Sequence, residues 1–166
     1  MAREGCGAAP VLCTAALIKL GAAISGLGHY EDAEDVFSEA AGLAYTLEYP
    51  YLIGNLAGEL GEHLARIGRL EEAVKVYRSA GRVYFEAGMA RFTAYLAVLA
   101  AELLVLLGRN GDAESELLGA LNLIDECHLE REGVAALALL REAVAGRRKD
   151  AKKTQTVKNL LRRGLR

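Results

Sequence analysis

Apolar residues recur along this chain at three- and four-residue spacing, the period of a helix with one buried face. Ala33, Val36, Phe37, Ala40, Ala44 and Leu47 form one such series, and Ala73, Val76, Tyr77, Ala80 and Tyr84 form another. Between the series stand glycines followed by acids, the signature of a helix that ends at positive φ before the next one starts. The pattern predicts helices at about 11–27, 30–48, 50–67, 70–87, 89–107, 111–127 and 130–145, with a further helix in the tail. Phe92 to Leu107 is apolar on nearly every side but too short to span a bilayer, so it reads as a core helix.

The series repeat at a spacing of 40 residues. Gly28, Gly68 and Gly108 are in register with Ala33, Ala73 and Ala113, with Ala40, Ala80 and Ala120, and with the large residues Phe37, Tyr77 and Leu117. Upstream, Leu20-Gly21 pairs with Leu60-Gly61. Each unit therefore reads as two helices joined by a tight turn at 28–30, 68–70 or 108–110.

The segments "GHYEDAEDVFSEA" and "GRLEEAVKVYRSA", and more weakly "GRNGDAESELLGA", resemble the tetratricopeptide motif of small residues, glycine, an acid and an aromatic. The resemblance covers roughly residues 12 to 127. It departs from the family in lacking the closing proline and in a period of 40 rather than the usual ~34. The longer period is similar, in architecture only, to the soluble attachment proteins that dock on SNARE bundles. The resemblance implies an all-α fold of antiparallel helical hairpins stacked as a short right-handed solenoid. Its units would be about 12–48, 50–88 and 89–128, with helix 130–145 completing a repeat domain at 1–146 and a basic tail at 147–166.

Charge divides the chain in the same place. The nine Lys or Arg from Arg147 onward, against Asp150, give the tail +8, while 11 basic and 21 acidic residues give the body −10, for the total of −2. In the tail, Val157, Leu160, Leu161 and Leu165 share one helical stripe, which suits a lid on the last repeat. Cys6, Cys13 and Cys127 are neither a disulfide framework nor a zinc spacing, which fits a reducing cytoplasm. Lys19 interrupts the apolar stretch 8–28, which argues against a cleaved signal.

No catalytic constellation emerges. His29, His63 and His128 occupy unlike places, Cys127-His128 has no second pair at ligand spacing, and the carboxylate pairs Glu31-Asp32 and Glu71-Glu72 are explained by helix dipoles. The 18 glycines do not cluster before a lysine as a phosphate loop requires. The expectation is therefore a binding protein with no cofactor and no metal. In proteins of the resembled family the first helix of each unit lines a concave groove. Carried over, those positions are Ala15, Ile18 and Ala22; then Asn55, Gly58, Glu62 and Arg66; then Tyr95, Val98 and Glu102, with Glu142 continuing the acidic line. Asn55, Glu62, Arg66, Tyr95 and Glu102 are the expected partner contacts. An acidic and apolar groove suits a basic or amphipathic helical segment of another protein or of a second copy. The alternative is nucleic acid or another anionic surface held by Lys152, Lys153, Lys158, Arg162 and Arg163, through phosphates alone because the tail has no aromatic residue.

Overall fold

The computed structural model describes residues 5–126, with side chains from 9 to 123. All six helices in this range are α, and no strand occurs among the described residues. They are α1 (Gly5–Gly26), α2 (Tyr30–Leu47), α3 (Pro50–Arg66), α4 (Leu70–Glu86), α5 (Ala90–Leu106) and α6 (Asn110–Glu126). The observed limits fall within two residues of the expected ones except at the start of α1, which runs through Pro10 instead of beginning after it. There Thr14 Oγ1 donates to the Pro10 carbonyl at 2.8 Å. The expected helix at 130–145 and the tail lie outside the described residues.

Helix ends are set by one device used four times. Gly28, Gly68, Gly88 and Gly108 have φ of 88°, 85°, 70° and 73°, a conformation that costs glycine nothing. At each, the glycine N–H bonds the carbonyl three residues back and the following N–H bonds the carbonyl five back, as in Gly28 to Ser25 and His29 to Ile24. This doubly bonded stop satisfies two of the last carbonyls of the helix. The turn between α2 and α3 uses Glu48 in the left-handed region instead, at φ 49°. Left-handed residues thus fall at 28, 48, 68, 88 and 108, so the 40-residue spacing of the sequence divides into helix-plus-turn steps of 20.

The chain forms two compact units that divide between Arg69 and Leu70. In the N-terminal unit α1 and α2 form a hairpin and α3 packs on both. Phe37 of α2 is 1% exposed and fills the space above Gly21 of α1, where a Cβ would stand 3.0 Å from the ring. In the second unit α5 packs against both α4 and α6, which explains why it is apolar on nearly every side. Across both units Ala33, Ala73 and Ala113 are each 0% exposed, and Phe37, Tyr77 and Leu117 are all buried.

Candidate functional site

A polar cluster in the N-terminal unit runs from its interior, at Ser25 and His63, to its surface, at Glu34, Arg66 and Arg69. Ser25 ends α1, Glu34 lies on α2, and His63 and Arg66 lie on α3. Ser25 and His63 are each 1% exposed. His63 Nδ1 and Ser25 Oγ are 2.9 Å apart, Arg66 Nη1 donates to the same hydroxyl at 2.8 Å, and His63 Nε2 stands 3.8 Å from Glu34 Oε1. Arg69 Nη1 holds that carboxylate oxygen at 3.0 Å. The rings of Tyr30 and Phe37 close over the imidazole with centroids 6.0 and 5.5 Å away.

With its hydroxyl oxygen taking Arg66, Ser25 donates best to Nδ1, which places the imidazole proton on Nε2 facing Glu34. A bare lone pair there would oppose a carboxylate instead. Nε2 still lacks a hydrogen bond, because 3.8 Å is too long. Serine, histidine and a carboxylate are thus in one row, but a substrate carbonyl cannot reach a hydroxyl that is 1% exposed and already bonded to a guanidinium. The cluster joins three helices; it is not an acyl-transfer centre.

Burial pushes the His63 pKa below its ordinary value, Glu34 pulls it up less strongly, and Arg66 and Arg69 add to the lowering. The folded unit therefore holds the neutral imidazole, while the unfolded chain gains a proton as pH falls through about 6.5. His63's share of stability is full above that pH and declines below it, down to the lowered folded-state pKa. Urea midpoints at about pH 7.5 and about pH 5 should diverge more for the natural protein than for His63→Gln, since all other titrating groups are common to both. Equal pH slopes in the two proteins would contradict the buried neutral state.

The residues expected in the groove divide between the units. Asn55 and Glu62 are half-buried on α3, whereas Arg66 is exposed and its guanidinium is anchored to Ser25. Tyr95 and Glu102 are half-buried on α5. Ile18 and Val98, also expected on the groove floor, are core residues at 1% and 0% exposure. Glu142, Cys127, His128 and the basic set Lys152, Lys153, Lys158, Arg162 and Arg163 lie outside the described residues. Cys13 is an exposed free thiol. No group of three or more His, Cys, Asp or Glu residues among those described is placed to hold a metal.

Two surface features were not anticipated. On α1, Leu12, Leu20 and Leu27 are exposed on one side while Thr14, Ile18 and Ser25 face inward. Its stretch Ala9–Gly26 is the one described segment long and apolar enough to cross a membrane, with mean hydropathy 1.6. In the second unit, a cleft of about 510 Å³ opens between α4 and α6, floored by Thr93, Ala97 and Ala100 of α5. Small residues leave that space, although the same residue types elsewhere serve close helix packing.

Comparison with protein families, with curated proteins and with solved structures returned no match to this chain.

Proposed function

We propose that this protein is an interaction adaptor. In this reading the hairpins are those of a tetratricopeptide-like solenoid, and a basic or amphipathic helical segment of a partner protein is held by the first helices of the hairpins. The observation that carries the reading is on α5. That helix buries eight residues from Ala94 to Leu104, yet Arg91, Tyr95 and Glu102 keep one side of it partly open. Their spacing of four and then seven residues keeps them on one stripe. An aromatic, a cation and a carboxylate on a rigid helix are the groups from which interface hot spots are built. On α3, Asn55 and Glu62 are partly open in the same way, seven residues apart. The exposed leucines of α1 add apolar surface of the kind that marks contact with another protein.

The test is capture from source lysate by the natural protein and by the double variant Tyr95→Ala, Glu102→Lys. A partner retained by the first should be lost from the second by about tenfold or more, because both an anchor and a charge are removed. A partner captured equally by both would sink the groove reading.

A further inference from the structure

The cleft of the second unit lies on the opposite side of α5 from the face just described. At 3.6 residues per turn, Thr93, Ala97 and Ala100 stand about 180° around the helix from Arg91, Tyr95 and Glu102. Its walls are Arg78, Gly81, Arg82 and Phe85 of α4 and Glu116 of α6. A smaller hollow of about 280 Å³ shares Thr93, Ala97 and Glu116 and continues along α6 to Leu123. The α4 wall is open at Gly81, where a Cβ would meet no atom within 4 Å. The rim is apolar at one point, where Phe85 is 61% exposed.

Charge decides what fits there. Arg78 Nε donates to Glu116 Oε1 at 2.6 Å, so this pair bridges α4 and α6 and cancels. Arg82 has no hydrogen bond or ion pair with another described residue, which leaves the cleft one unbalanced positive charge. Lys75, seven residues before Arg82 and also exposed, extends the same α4 stripe toward the N-terminus. A guanidinium beside an exposed aromatic ring, over a floor of small residues, matches a carboxylate next to a large apolar side chain.

We propose that this cleft docks an acidic, apolar segment of a partner protein. A Glu or Asp of that segment pairs with Arg82, and a neighbouring Leu or Phe enters over Gly81 and Ala97 beside Phe85. The preference is opposite in sign to that of the face bearing Glu102, so the two surfaces take different segments, and this one stands whether or not the first does.

The probes are two labelled helical peptides of about 15 residues, each with a Leu and a Phe one turn from two variable positions, which are Glu in one peptide and Lys in the other. Polarisation titrations on the full chain at low salt should show the Glu peptide binding about tenfold tighter than the Lys peptide. In Arg82→Gln that preference should shrink to about twofold or less. Gly81→Leu puts a Cβ where no atom lies within 4 Å, extends into the cleft and improves helix propensity, so it should melt no lower than the natural protein while weakening the Glu peptide by about tenfold. The variant Tyr95→Ala, Glu102→Lys should bind the Glu peptide as the natural protein does. Equal binding of the two peptides, binding of neither, or indifference to Gly81→Leu would overturn the proposal. So would loss of binding in the Tyr95→Ala, Glu102→Lys variant, which would place the peptide on the other face. Displacement of the bound peptide by equimolar 4-phenylbutyrate would overturn the protein partner in favour of a small acid.

Discussion

Phe37→Ala should destabilise the N-terminal unit by about 3–5 kcal/mol, the cost of truncating a sealed aromatic side chain where the surroundings cannot collapse. The surroundings here are stiff. The ring is 1% exposed, lies against the backbone of α1 at Gly21, and supports the imidazole of His63 from one side. Removing it opens a cavity bounded by helix backbone and admits water beside a buried unbonded Nε2, which lowers the cost of charging His63. Urea unfolding followed by helical circular dichroism measures the total, and amide exchange locates it. Protection should fall first in α1, α2 and α3. A loss under about 1 kcal/mol would mean that the ring is not the keystone its burial implies.

Much of the fold was legible because helix stops are written in single residues. Glycine followed by an acid marks both a left-handed stop and the positive end of the next helix, and Glu31-Asp32, Glu71-Glu72 and Asp112 do stand in the first turns of α2, α4 and α6. The intermediate turns were harder to read. Glu48 adopts the left-handed conformation without being glycine, and Gly88 has no glycine counterpart 40 residues earlier, so the 20-residue step was hidden in the 40-residue one. The start of α1 differs for another reason: an interior proline loses a hydrogen bond and crowds the carbonyl four residues back, which makes Pro10 a boundary signal, yet α1 carries it as its sixth residue.

The site was legible only in part. Ser25 follows Ile18 and Gly21 on the inward face of α1, and His63 sits next to Leu64 on that of α3. A polar residue on the core stripe of each of two helices was the available signal that they bond to each other. Arg66 shows the limit of reading by position: its place in the series fits a groove, but its guanidinium reaches back to Ser25. The cleft had no signature at all. Gly81, Ala97 and Ala100 are the residue types that close helix packing uses, and only the placement of α4 and α6 around α5 shows that they line an open space.

Ala73→Leu should destabilise the protein by about 1–3 kcal/mol, through overpacking and not through lost contact. Ala73 lies one turn into α4 and is 0% exposed, and Val74 and Tyr77 beside it are also buried. Leucine and alanine differ little in helix propensity, so the effect reads packing alone. Three further carbons at a sealed position must displace a neighbour or leave their rotamer, and close-packed interiors resist both. The control is Lys75→Leu, two residues along on the exposed side of the same helix, where the change should stay within about 0.5 kcal/mol. Thermal unfolding of the two variants side by side separates position from composition. If Ala73→Leu melts with the natural protein, the backbone at this point of α4 is not held as closely as its burial requires. Ala33 and Ala113, equally sealed and 40 residues to either side, give two independent readings of the same substitution, each expected to cost about 1–3 kcal/mol.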